Sequence, residues 1–270
     1  MDKDKKLIKA AKRGNLEEVE RLLEQGADLH AGGDYALCWA AENGQLPIVE
    51  YLLQHGADLH ADDDYALCKA AENGHLPVVK CLLQHGADLH VDNDHAFCKA
   101  AENGHLPVVK CLLQNGADLH VDGDYALCWA AKKGHVPMVD FLLQNGADLH
   151  VDGDEALCCA AEHGHLPVVE CLLQRGADPQ HFSNQTIKTF LSRRNDKMIK
   201  LLLLYDLQLK ESPRLFSLLL RIEFNRESLN YLRKTKLTRL YRRKIYLEVE
   251  RLMYHLYYRP ASQAFYRAVE

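Results

Sequence analysis

The chain repeats itself every thirty residues, and this period constrains its fold more than any single motif does. Tyr35-Ala-Leu-Cys-Trp-Ala-Ala-Glu-Asn-Gly opens one unit and Tyr65-Ala-Leu-Cys-Lys-Ala-Ala-Glu-Asn-Gly the next; the frame returns at His95, Tyr125 and Glu155. A fixed period of this size implies a solenoid, in which each unit buries its apolar side only against its neighbours. Most of the Cys, Gly, Pro and His usage follows from the period. The functional question therefore moves from catalysis to surface recognition.

One unit shows what is built. In residues 65–94, Ala66-Leu67-Cys68-Lys69-Ala70-Ala71 carries small and apolar residues at helical spacing. Asp64 stands where an N-cap side chain would accept from the first helical N–H groups. Gly74 ends the helix, where a left-handed residue costs least. Leu76-Pro77 starts a second helix, since proline is tolerated in a first turn. Val78, Val79, Leu82 and Leu83 form its apolar stripe, and Gly86 closes it. Ala87 to Asp94 is a short polar connection. The predicted unit is helix, tight turn, helix and returning finger, in an all-α chain.

The spacing Ala70-Ala71-x-x-Gly74-His75-Leu76, then Val78-Val79-Lys80-x-Leu82-Leu83-x-x-Gly86-Ala87-Asp88, resembles the ankyrin repeat, and it recurs from Gly44 to Asp178. The family's Thr-Pro-Leu-His opening is replaced by Tyr-Ala-Leu-Cys, and its usual thirty-three residues are cut to thirty in the finger. The Thr–His bonding of typical repeats is then missing, and Asp34, Asp64, Asp94, Asp124 and Asp154 are expected to supply the caps. Short-fingered repeats of this kind look like those of large amoeba-infecting viruses and some intracellular bacteria. The resemblance implies an ankyrin solenoid of stacked helix-turn-helix units that holds protein partners on a concave face lined by first helices and fingers.

The ends differ from the middle, as a solenoid requires. Residues 5–30 form a polar N-terminal capping unit with Lys5, Lys6, Lys9, Lys12, Glu17, Glu20 and Glu24 outward. Five near-identical units complete an array over 1–180. Beyond it the frame decays: Met198-Ile199-Lys200-Leu201-Leu202 lies thirty residues after Val168-Val169-Glu170-Cys171-Leu172. Residues 184–210 read as a degenerate seventh unit, 213–233 as an eighth, and 235–258 as one longer helix. The stretch 181–270 is expected to continue and cap the array. Charge divides at the same place. Residues 1–180 hold 14 Lys and Arg against 30 Asp and Glu, net −16; residues 181–270 hold 19 against 8, net +11. The overall −5 hides an acidic array joined to a basic end.

Metal and catalytic chemistry find little support. Cys38, Cys68, Cys98, Cys128 and Cys158 share one first-helix position; Cys81, Cys111 and Cys171 share one second-helix position, where Tyr51 and Phe141 also occur. A position that accepts Cys, Tyr or Phe is a packing position. There is no Cys-x-x-Cys pair. His30, His60, His90, His120 and His150 form a ladder at the finger bases. Stacked helices about 10 Å apart keep such rungs too distant to share an ion; the resemblance implies that this ladder position can be hydroxylated in related repeats. No phosphate-cradling Gly loop, Gly-x-Ser-x-Gly elbow or His-Glu-x-x-His helix occurs. We expect no enzyme, no metal and no cofactor.

Differences between units mark the candidate partner face: Tyr35, Tyr65, His95 and Tyr125; Trp39, Lys69, Lys99 and Trp129; Lys132 and Lys133; and the finger residues Asp62 and Asp63. Trp39 and Trp129 are either anchors or fillers between helices, since Trp is enriched at hot spots and also packs well half-buried. The finger aspartates are either caps or an acidic recognition strip, which would favour a partner with a basic surface. A second candidate is the basic patch Lys236, Arg239, Arg242 and Arg243 on the last helix, which either faces solvent on a cap or grips nucleic acid or an anionic membrane. Met1-Asp-Lys-Asp-Lys-Lys has no apolar signal core, and Leu201–Leu204 is far short of the roughly 20 residues of a membrane span. The expectation is a soluble monomer in a reducing cytosol, a host's if the chain is a secreted effector.

Overall fold

The computed structural model describes residues 2–182 and Thr186. The chain divides into two compact units, Met1–Ala177 and Asp178–Glu270. In the second unit the described residues include one 3-10 turn, Pro179–His181. The seventh-unit, eighth-unit and long-helix readings lie, apart from Thr186, outside the described residues.

The first unit is built from six helix pairs: α1 (Asp2–Arg13) and α2 (Leu16–Glu24), α3 (Tyr35–Glu42) and α4 (Leu46–Gln54), α5 (Tyr65–Glu72) and α6 (Leu76–Gln84), α7 (His95–Glu102) and α8 (Leu106–Gln114), α9 (Tyr125–Lys133) and α10 (Val136–Gln144), α11 (Glu155–His163) and α12 (Leu166–Gln174). The described residues form no strand. First helices stack in one row, α1 on α3, then α5, α7, α9 and α11; each second helix packs on its own first helix, and α4 lies between α2 and α6 in a second row. The expected two-layer helical solenoid is what forms.

Small residues set the close stacking of the first row. The Ala40-Ala41, Ala70-Ala71, Ala100-Ala101, Ala130-Ala131 and Ala160-Ala161 pairs are buried, and Leu52, Leu82, Leu112, Leu142 and Leu172 are buried between the layers. Burying one such leucine contributes about 2 kcal/mol, repeated in each unit. Both helices end in left-handed glycines. Gly74 N–H donates to Ala71 O and His75 N–H to Ala70 O, at 3.1 and 2.9 Å. Gly86 and Ala87 repeat this pattern at the end of α6. These paired bonds satisfy carbonyls that the helix leaves without partners. Pro47, Pro77, Pro107, Pro137 and Pro167 each sit in the first turn of a second helix, as the spacing predicts.

The fingers correct one expectation. Asp34, Asp64, Asp94, Asp124 and Asp154 precede the first helices, yet none makes a side-chain cap bond. Each is left-handed, and so are the two residues before it: Gly32-Gly33-Asp34, Asp62-Asp63-Asp64, Asp92-Asn93-Asp94, Asp122-Gly123-Asp124 and Asp152-Gly153-Asp154 all have positive φ. Three left-handed residues in a row restrict the sequence to Gly, Asn and Asp, the types that tolerate this region best. No other type occurs at these positions. The abundance of finger aspartate therefore has a backbone cause that neither capping nor recognition supplies.

Candidate functional site

The capping-position aspartates act between units. They are at most 4 % exposed. The Asp34 carboxylate accepts from the Asp58 N–H of the next unit, and Asp64 from Asp88, Asp94 from Asp118 and Asp124 from Asp148, at 2.8–3.2 Å. Asp4 does the same for Asp28. The finger-base histidines complete the cluster from the solvent side. Nδ1 of His30, His60, His90, His120 and His150 lies 2.8–3.2 Å from the carboxylate four residues on. The carboxylates of Asp34 and Asp64 hold His30 and His60 above the ordinary imidazole range, chiefly through these hydrogen bonds. The ladder histidines are thus finger ties. Among the described residues no group of three His, Cys, Asp or Glu side chains is arranged to hold a metal ion.

A second tie crosses units on the turn side. Nε2–H of His75 donates to Glu42 O at 3.0 Å, and His105 and His165 reach Glu72 O and Lys132 O in the same way. The ring occupies the space that a side chain on the previous unit's turn glycine would need. A Cβ on Gly44 would lie 2.6 Å from His75 Nδ1, and one on Gly74 2.5 Å from His105 Nδ1. Gln45 fills this place against Gly14 in the first unit.

Apart from these ties, the first helices and fingers carry the remaining described candidate residues. Tyr35, Tyr65 and Tyr125 are 44, 41 and 46 % exposed, at one position in three units. His95 is exposed at the same position. Trp39 and Trp129 are half-buried. The Lys12 ammonium sits 3.6 Å from the centre of the Trp39 ring, and that of Lys132 4.5 Å from Trp129. Each tryptophan thus gives one face to the chain's own cation, a contact of about 0.5–1 kcal/mol at such exposed sites. Lys69 is 2.7 Å from Glu72 and over the Tyr65 ring; Lys99 is 2.9 Å from Glu102, which Lys133 approaches from the next unit at 3.3 Å. Burial would raise the Glu102 carboxyl, but the two ammonium groups outweigh it and hold it below the ordinary range. Asp62 and Asp63 are exposed in their left-handed finger. Lys236, Arg239, Arg242 and Arg243 lie outside the described residues.

The thiols at the shared first-helix position are held in their protonated form. All nine cysteines are free. Burial, with finger carboxylates adding to it, pushes Cys38 up to about 12, and Cys68 and Cys98 up to about 11. A thiol that stays protonated is neither a good nucleophile nor a good ligand.

A family model described as ankyrin repeats in three copies matches residues 2–63, 59–122 and 97–183. The chain belongs to the ankyrin-repeat family. No curated protein matches the chain. Ankyrin repeats are generally protein–protein interaction modules, and ankyrin proteins are typically non-catalytic. None of the helices described in this ankyrin array is long and apolar enough to cross a membrane. Two features escaped sequence reasoning, the left-handed finger triplet and the two ties between ankyrin units. Their signals were present as the restriction of residues 32–34 and their equivalents to Gly, Asn and Asp, and as the pairing of Gly44, Gly74, Gly104 and Gly134 with a histidine thirty-one residues on.

Proposed function

We propose that the chain is a non-catalytic adaptor that holds a protein partner against the face formed by its first helices and fingers. The observation that carries this reading is the row of exposed Tyr35, Tyr65 and Tyr125, repeated in register where the other large apolar side chains among the described residues are at least partly covered. Tyrosine offers a large, rigid contact at low entropic cost and is enriched where binding energy concentrates. Trp39 and Trp129 add half-buried aromatic surface behind the row. The net charge of −16 over residues 1–180 favours a partner with a basic surface.

The setting is part of the proposal. The nine free thiols suit a reducing cytosol. The short-period repeats, similar to those of amoeba-infecting viruses and intracellular bacteria, suit an effector acting in a host cell.

The test is capture from eukaryotic cytosolic lysate by the full chain, by Trp39→Ala/Trp129→Ala and by Tyr65→Ala/Tyr125→Ala, with bound material identified by mass spectrometry. A protein bound by the full chain, lost by the variants and weakened by salt is expected. Capture that ignores these substitutions, or recovery of RNA, DNA or lipid in place of protein, would move the function to the basic stretch around Arg239.

A further inference from the structure

The period of the recognition face carries information about what fits it. First helices in direct contact, as α3, α5, α7 and α9 are, lie about 8–10 Å apart. Tyr35, Tyr65, His95 and Tyr125 head these four helices, so one ring is offered per step of that size. The exposed finger carboxylates follow the same step, with Asp62 and Asp122 each three residues before a tyrosine of the row. Ring and finger are close neighbours: a Cβ on Gly32 would lie 2.9 Å from the Tyr35 ring. The units of Tyr65, His95 and Tyr125 therefore each present an aromatic surface in the same unit as an exposed finger carboxylate, Asp62, Asp92 or Asp122, whereas the finger before Tyr35 carries Gly32-Gly33 in its place. The ammonium groups of Lys69 and Lys99 are each paired with a glutamate of their own helix, and that of Lys69 also lies over the Tyr65 ring.

A polyproline II segment has three residues per turn and rises ~3.1 Å per residue, so it returns the same side every ~9 Å. This matches the helix spacing. An extended strand returns the same side every two residues, about 6.6 Å, so it drifts out of step with the row within two units, and two turns of an α-helix span about 10.8 Å, just beyond the helix spacing. Polyproline II segments also dock on aromatic surfaces with little loss of chain entropy. Resting on the protein-binding reading above, we propose that the row Tyr35, Tyr65, His95 and Tyr125 seats a polyproline II segment whose Lys or Arg residues recur at every third position. The prolines lie on the rings, and the cations reach the finger carboxylates. Glu155 takes the aromatic place in the unit after Tyr125, so the row spans four units and reads a segment of about 12 residues.

The test is fluorescence anisotropy of the full chain with two labelled peptides, five copies of Arg-Pro-Pro and five copies of Arg-Pro-Pro-Pro. They carry equal charge and differ in spacing. The three-residue period should bind at least about tenfold more tightly. Tyr65→Ala/Tyr125→Ala should reduce that binding about tenfold while the melting temperature stays within error, because both rings are exposed. Equal affinity for the two spacings, indifference to the tyrosines, or no binding of either peptide would overturn the proposal. If a folded protein were still captured from lysate through the tyrosine face while both peptides were refused, the adaptor reading would stand and only the polyproline II inference would fall.

Discussion

The Asp34 carboxylate accepts a hydrogen bond from the Asp58 N–H at 3.0 Å, across the boundary between two units. The bond explains why a charged residue is buried in every finger. A solenoid has no long-range contacts to hold its units in register, so each interface must carry its own specificity. A buried carboxylate that accepts from a backbone N–H of the next unit supplies it. Losing such a charge-assisted bond costs about 1.5–3 kcal/mol.

The first prediction follows from Asp64, which receives Asp88 N–H at 3.1 Å and sits in a left-handed conformation. Asp64→Ala should destabilise the array by about 2–3 kcal/mol in denaturant unfolding. Asp64→Asn keeps an acceptor and tolerates the backbone, so it should lose less than half of that. Equal losses for the two variants would show that the bond to the next unit contributes nothing.

A second prediction concerns Gly74 and His105. Gly74 has φ +77°, and a Cβ there would meet the His105 ring at 2.5 Å. Gly74→Ala should cost more than the roughly 1–2 kcal/mol of left-handed strain alone. His105→Ala removes the clash along with the bond to Glu72 O. The double variant should therefore be less destabilised than the sum of the two single variants. A double-mutant cycle measures this directly, and strict additivity would contradict the shared space.

The finger backbone gives a third test. Asp63 is exposed and lies in the middle of a left-handed triplet, at φ 54°. Asp63→Gly should leave the melting temperature unchanged or raise it, as Gly123 and Gly153 occupy the same place in other units. Asp63→Val should lower stability by about 1–2 kcal/mol, since a β-branched side chain opposes that backbone. A neutral Asp63→Val would show that the finger does not hold this conformation.

The histidine ladder sets a pH dependence. The pKa of His30 and that of His60 are raised by the hydrogen bond to Asp34 or Asp64, then by the charge of that carboxylate, with Asp28, Asp58 and Asp88 adding to the field. The folded chain therefore holds these protons more tightly than the unfolded chain. Their stabilisation is complete below the unfolded value of about 6.5 and is lost as pH rises through the raised folded value. Melting curves should show the wild-type chain losing more stability between about pH 6 and about pH 8 than His30→Gln/His60→Gln. Parallel curves would remove this role from the two histidines.

Much of the scaffold was legible because period and packing coincide: the alanine pairs, the Leu82 series and the prolines at second-helix starts all report helical geometry locally. The ties between units were not. Asp64 looks like an N-cap from sequence because Asp before a helix usually is one, and only the left-handed backbone turns its carboxylate towards Asp88. His75 looks like a turn residue, and its bond to Glu42 O depends on how one unit stacks on the next. For the site, the exposed tyrosines follow from their helix-start positions. That Lys12 covers Trp39 depends on side-chain reach between units, which no spacing encodes.

The most direct test of the adaptor account is hydrogen–deuterium exchange of the full chain with and without its captured partner. Protection concentrated in residues 31–42, 61–72, 91–102 and 121–132, the fingers and first helices, is the predicted result. Protection confined to the second helices, or to residues 233–251 with the first helices unchanged, would contradict it.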